Sequence, residues 1–267
     1  MKGASEDKTI EQKLIDRVYW LTQLRWVAIL GVAATILTVP RFFRIPLETG
    51  ALWRAAAFLA LYNGLFAWLI PLLQLRQMYG AIKALANLQI FLDLTCLALL
   101  IHFSGGVENP FYFYFIFHII IAGILLSRRE TFILATYAVI IFLAIMVGEQ
   151  RGLLQHYGVL GIFAASLYQS STYVLGVSFV FVSTLYIAAY LTTSISNRLH
   201  ERERIIIKAN ELLGEKDRIK SEYVLRVTHD LKEDLAAIHT CIEPVQKGFT
   251  GKLNEEQTNL LSRADRP

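Results

Sequence analysis

Between residues 26 and 193 the chain carries only thirteen charged residues, set among long apolar runs, and this constrains its fold more than any motif. A helix that crosses ~30 Å of hydrocarbon needs roughly 20 mostly apolar residues, because no water is there to satisfy its backbone. Six stretches fit that need: 24–40, 53–74, 84–103, 111–127, 131–148 and 171–192. The fourth is short, since Ser127 and Arg128 end it. Most of the 26 basic and 22 acidic residues lie outside this region. A mean hydropathy of +0.45 therefore averages two unlike pieces, which excludes a purely soluble protein, intrinsic disorder and a fibrous repeat. The tail after residue 193 balances thirteen basic against thirteen acidic residues and has no basic face for nucleic acid. Two cysteines, Cys96 and Cys241, cannot build a disulfide framework.

The first stretch is not a cleaved signal peptide, because a long segment of mixed charge precedes it and no small-residue cleavage site follows. Trp20 and Trp26 suit interfacial anchors, and Arg25 can snorkel to the same level. Arg76 and Lys83, then Arg128 and Arg129, mark two short loops as cytoplasmic. Arg41, Arg44 and Arg54 count against that orientation, but the long charged tail decides for both termini inside. The expectation is a multi-pass membrane protein with both termini cytoplasmic and lipid as its first partner. Asp93 is the only acidic residue well inside a span. It reads equally as a proton or ligand site and as a neutral acid hydrogen-bonded to another helix. His102 and His118, near span ends, read as interfacial or packing residues, and no metal site is expected.

Between the third and fourth spans runs Ser104 followed by GGVENPF at 105–111. The glycine pair permits positive φ and a sharp exit from a helix. Asn109-Pro110 favours a turn, and Pro110 can open the next helix at its first position. A tight interhelical turn is the plain reading. The aromatic run Phe111, Tyr112, Phe113, Tyr114, Phe115 and Phe117 adds a second one. It fits a membrane-interface belt and also a stacking wall for a flat, lipid-soluble ring. Gly105 and Gly106 would let such a ring reach backbone amides.

GGVENPF resembles the GGxxNPF heptapeptide of the RegB/PrrB-type redox-responsive sensor histidine kinases, which lies between the third and fourth of six spans. The run LRWVAI at 24–29 is similar to that family's first span. The resemblance implies a ubiquinone-like quinone as ligand, with Gly105, Gly106, Asn109, Pro110 and Phe111 as its loop.

From Ser194 the composition changes. Ile195, Arg202, Ala209, Lys216 and Tyr223 recur every seven residues, with Arg198, Ile205, Leu212, Ile219 and Arg226 as companions and Leu199, Ile206 and Leu213 as an overlapping series. This imperfect heptad seam reads as a coiled-coil linker, either a signal-transmitting helix or a weak dimer linker. The stretch KSEYVLRVTHDLKEDL at 220–235 then resembles the dimerisation and histidine-phosphotransfer segment of sensor histidine kinases. By that resemblance His229 is the phosphoacceptor, Asp230 its acid/base partner, and Leu225, Leu231, Leu235 and Ile238 pack a four-helix homodimer. Glu233 replaces the family's Asn or Thr on the same helix face, where a carboxylate repels a phosphoryl group and puts phosphatase activity in doubt. Asp234 replaces the usual proline, so the helix kink is expected to be absent. Residues 248–254 read as a turn and 255–264 as the return helix, while Cys241 is expected to be a buried thiol.

The expected fold is all-α: a six-span transmembrane bundle, a coiled-coil linker helix and a partial dimerisation/histidine-phosphotransfer hairpin. Its parts are an amino-terminal segment 1–23, a sensor domain 24–193, a linker 194–221 and an incomplete phosphoacceptor domain 222–267. The residues to 267 include no counterpart of the family's ATP-binding domain. The resemblance therefore implies a sensor histidine kinase in which ATP and Mg act only through a catalytic domain supplied in cis or trans. A response regulator would receive the phosphoryl group. Two other readings stand beside it: a non-catalytic quinone-binding regulator that pairs with a complete kinase, and a transporter-like protein with a coiled-coil tail.

Overall fold

The computed structural model describes residues 2–43, 45, 47–158, 167–248, 251 and 253–264. Among them every regular element is helical, as hydrocarbon requires of a chain that does not close a barrel. In order these are α1 (Lys2–Thr38), a π-helical turn (Val39–Phe43), α2 (Thr49–Leu75), α3 (Tyr79–His102), two 3-10 turns (Gly106–Glu108 and Pro110–Phe113), α4 (Tyr114–Leu125), α5 (Arg128–Gln150), a third 3-10 turn (Leu167–Gln169), α6 (Ser171–Gln246) and α7 (Glu255–Ala264). Five helices are long and apolar enough to cross a membrane, and Pro110–Leu125 is a shorter apolar segment in the place of the fourth span. The chain is a multi-pass membrane protein. It divides into two compact units, Met1–Leu199 and His200–Pro267.

In the first unit Ile15, Val18 and Leu21 of α1 meet Ile82, Ile90 and Leu94 of α3, Phe115 and Ile119 of α4, Phe142 and Met146 of α5, and Phe181 and Leu185 of α6. Leu61, Trp68, Ile133, Ile140 and Phe179 are exposed on the outside, as suits contact with lipid. Lipid tails are as apolar as leucine, so close packing and polar pairs rather than hydrophobic burial hold such helices together. Gly123 of α4 shows the first. A Cβ there would lie 2.7 Å from Thr192 Cγ2 of α6, so only glycine admits this approach. The rings of Phe115, Phe142 and Phe181 lock α4, α5 and α6 at centroid distances of 4.3 to 5.8 Å. Hydroxyl pairs supply the second: Thr95 with Tyr137 at 2.8 Å and Thr136 with Tyr186 at 2.9 Å. Ser127 caps α5 in a reciprocal box with Glu130, which also takes Lys83 and Asn87 of α3. The cap ends the fourth span where Ser127 and Arg128 were expected to end it.

The first span begins earlier than residue 24. Helix α1 is already packed at Ile15, and the apolar segment runs Ile15–Phe42. Arg25 looked like a boundary, but it lies inside the bundle at 5% exposure. It does not snorkel, because Asp93 neutralises it in place. Arg44 lies outside the described residues.

In the second unit α6 continues unbroken through Asp234, without the kink that a proline would bring. Its apolar positions Ile205, Leu212, Ile219, Leu225, Leu231 and Leu235 are exposed in the single chain. Cys241 is exposed too, not buried as expected, because it shares this uncovered stretch of helix. Helix α7 starts where the sequence placed it. Gln257 N donates to Asn254 Oδ1 (2.8 Å) and Asn254 N to Gln257 Oε1 (3.0 Å), a reciprocal cap. The turn before it falls partly outside the described residues.

Candidate functional site

The loop GGVENPF is a pinned turn. Gly105 (φ 128°) and Gly106 (φ 54°) turn the chain out of α3. Asn109 then clasps the turn from both sides. Its Nδ2 donates to the Ser104 carbonyl at 3.1 Å, and its Oδ1 accepts from Phe111 N at 2.8 Å. Pro110 takes the first helical position after this cap. The aromatic run divides at helical spacing. Phe111, Phe113, Tyr114 and Phe117 are exposed, with Phe111 stacked on Tyr114 at 5.4 Å, while Tyr112 turns inward to Phe142 and Phe181. The expected site residues therefore separate. Pro110 and Phe111 face outward, whereas Gly105, Gly106 and Asn109 are buried. Open access to the glycine amides, as first read, is not what Gly106 offers. A Cβ there would lie 2.2 Å from Glu149 Oε2, so the carboxylate of α5 fills that side.

Glu149 is the centre of a cluster that sequence reading missed. Its Oε1 meets His102 Nδ1 at 2.6 Å, and its Oε2 meets His156 Nδ1 at 2.7 Å. The other ring nitrogen of His156 lies 3.5 Å from Glu108 Oε2. Glu108 Oε1 accepts from Leu167 N at 2.9 Å. Tyr168 stacks on His156 with centroids 3.7 Å apart. His102 is thus hydrogen-bonded to a buried carboxylate, and the expectation of a mere interfacial or packing residue is corrected. His118 keeps its plain role, bonding the Tyr114 carbonyl of its own helix. Burial disfavours a charged His156, but the hydrogen bond and charge of Glu149 and the charge of Glu108 outweigh it and raise its pKa above 6.5. Glu149 lies one residue past the fifth apolar stretch, 131–148, yet still within α5. The available signal was an acid at an apolar span's end with a histidine seven residues on.

A second buried cluster joins three spans. Arg25 of α1 donates to both oxygens of Asp93 on α3, at 2.8 and 2.7 Å, and to Asn63 Oδ1 of α2 at 2.7 Å. Tyr62 of α2 donates to Asp93 Oδ1. Asn63 Nδ2 returns to the Thr22 carbonyl at 3.2 Å. Asp93 is therefore the carboxylate of a bidentate ion pair, which neither initial reading had described.

In the second unit His229 is exposed. Asp230 Oδ1 lies 3.9 Å from its Nδ1 and Glu233 Oε1 lies 3.6 Å from its Nε2, both too long for hydrogen bonds. The expected hold of Asp230 on the ring is not formed here, while Glu233 does share the histidine's face. The three groups stand close enough together to grip a cation, but all are exposed.

Residues 8–206 match the PilS-like transmembrane domain, and the chain belongs to that family. The sensor histidine kinase RegB of Cereibacter sphaeroides is 28% identical over 123 residues, which cover 46% of this chain and 26% of that protein. The match thus spans about a quarter of that relative's length. No solved structure matches the chain. A PilS-like domain together with this relative bears out the RegB/PrrB-type resemblance carried by GGVENPF and the all-α, six-span fold.

Proposed function

We propose that this chain is the sensing and phosphoacceptor part of a redox-responsive sensor histidine kinase in a bacterial inner membrane, with both termini cytoplasmic. The observation that carries the reading is a single uninterrupted helix, Ser171–Gln246, which holds both the last membrane span and His229. A ubiquinone-like quinone lies against the outward aromatics Phe111, Tyr114 and Phe117, beside the turn that Asn109 and Pro110 form and Gly105 and Gly106 shape. Its redox state biases the packing of the spans, and α6 passes the change on. The exposed apolar positions of α6 are covered by a second copy in a coiled-coil homodimer.

The lone-pair nitrogen of His229 attacks the γ-phosphorus of ATP, the bond to the β-phosphate oxygen breaks and ADP leaves, while the other ring nitrogen passes its proton to Asp230, so that a phosphoramidate remains on the ring. ATP and Mg are held by a catalytic domain in cis or trans. A response-regulator aspartate then takes the phosphoryl group. Glu233, 3.6 Å from Nε2, disfavours hydrolysis of the regulator's aspartyl phosphate by repelling the anionic phosphoryl group and its attacking hydroxide.

The test is labelling of the full chain with radioactive ATP and an added sensor-kinase catalytic domain. His229→Gln abolishes label, and unchanged labelling would refute the phosphoacceptor role. Quinone binding is read separately by fluorescence quenching with a short-chain ubiquinone. Asn109→Ala and Phe111→Ala weaken binding, and equal affinity would leave the loop as a turn only.

A further inference from the structure

The cluster around Glu149 has an unusual charge balance. Glu149 comes from the end of α5, Glu108 from the turn within GGVENPF, His102 from the end of α3 and His156 from the segment after α5. Tyr168 faces His156, Tyr157 faces His102, and Tyr173 of α6 is within electrostatic reach of Glu108. Among the described residues no lysine or arginine bonds to either carboxylate, so the two imidazoles are the only groups in the cluster that can carry positive charge.

Hydrogen-bond chemistry then fixes most of the protons. A carboxylate only accepts, so His156 Nδ1, at 2.7 Å from Glu149 Oε2, must carry a hydrogen. The neutral ring would leave a bare lone pair on Nε2. That atom is buried, has no hydrogen-bond partner among the described residues and lies 3.5 Å from Glu108 Oε2. Lone pair would face lone pair where water does not screen them. A proton on Nε2 turns this repulsion into a charge-assisted contact on both sides of the ring. The Glu149 carboxylate occupies the side of Gly106 where a Cβ would stand, and its bonds to His102 and His156 hold it there.

We propose that His156 Nε2 is a proton-binding site, whose imidazolium form bridges Glu108 of the GGVENPF turn to Glu149 of α5. Loss of that proton leaves Glu108 facing a bare nitrogen and loosens the turn. The site takes a hydrogen ion as its ligand, and it operates whether or not a quinone binds nearby. The raised pKa of His156 agrees and sets the direction of the pH effect. A histidine whose folded pKa is raised contributes stability that is complete below its unfolded value of 6.5 and is lost as pH rises through the folded value.

The test is thermal unfolding of the full chain in detergent micelles from pH 6 to 9. The Tm of the unsubstituted chain falls by about 3 °C as pH rises above 6.5. His156→Gln removes most of that slope, Glu108→Gln reduces it, and His200→Gln, at an exposed position of the tail, retains it. Wild-type slopes in both His156→Gln and Glu108→Gln would overturn the proposal. Should His156→Gln fail to fold, imidazole titration of the 15N-histidine-labelled wild type decides. One ring titrates above pH 6.5 and moves down in Glu108→Gln, and the absence of any such ring would overturn it equally.

Discussion

Two charged clusters are buried in the bundle. Around Arg25 and Asp93 the guanidinium meets both carboxylate oxygens, Asn63 and Tyr62 complete the set, and the formal charges cancel. Around Glu149 two carboxylates face two imidazoles, and the balance depends on protons. The first joins three spans through side chains each of whose nitrogens and oxygens has a hydrogen-bond partner. The second joins helix ends to loops, and among the described residues one of its ring nitrogens makes no hydrogen bond. The difference teaches which polar groups in a membrane protein hold and which respond. A satisfied, neutral set is a fastening, and an incomplete one that rests on histidine answers to its surroundings.

Substitutions separate the two. Asp93→Ala strands a buried guanidinium and is expected to cost about 3–5 kcal/mol, read by unfolding in micelles. The double variant Arg25→Met with Asp93→Leu is expected to recover most of that loss, since a well-packed apolar pair replaces an ion pair at little net cost. A double variant as unstable as the single one would mean that the cluster does more than fasten. Glu149→Gln removes the negative charge between the two imidazoles and replaces one of the two acceptor oxygens with a donor, and is expected to cost about 2 kcal/mol at pH 6. It also abolishes the pH slope, and a slope that survived would break the contrast drawn above. Gly106→Ala sets a methyl against that same carboxylate at positive φ, for a loss of about 1–2 kcal/mol. Its effect should shrink but not vanish in the Glu149→Gly background, because the positive φ still strains an alanine once the carboxylate is gone. Tyr62→Phe is expected to cost about 1 kcal/mol, because Asp93 keeps its two bonds to Arg25.

The apolar runs located the spans because hydrocarbon permits few backbone solutions, and Ser127, Arg128, Asn109 and Pro110 behaved as local chemistry dictates. Arg25 misled because a charge reads as a span end until its partner is known. That partner lies sixty-eight residues away, on another helix. Glu149 and His156 were missed for a related reason. Their meeting depends on the path of the segment after α5, which no periodicity reports. The outward aromatics followed from helical spacing, but the inward turn of Gly106 did not, since a glycine carries no side chain to declare a face.

The brevity of the fourth span has a consequence for the membrane itself. Its twelve α-helical residues rise about 18 Å and the four residues of the 3-10 turn before them add about 8 Å, against a hydrocarbon layer of ~30 Å. The missing few ångströms must come from lipid that thins around α4 or from neighbouring helices that shield it. Either way the aromatic turn is drawn into the layer and not held above it. Bilayer thickness, set by acyl-chain length and temperature, thereby becomes a mechanical load on that turn.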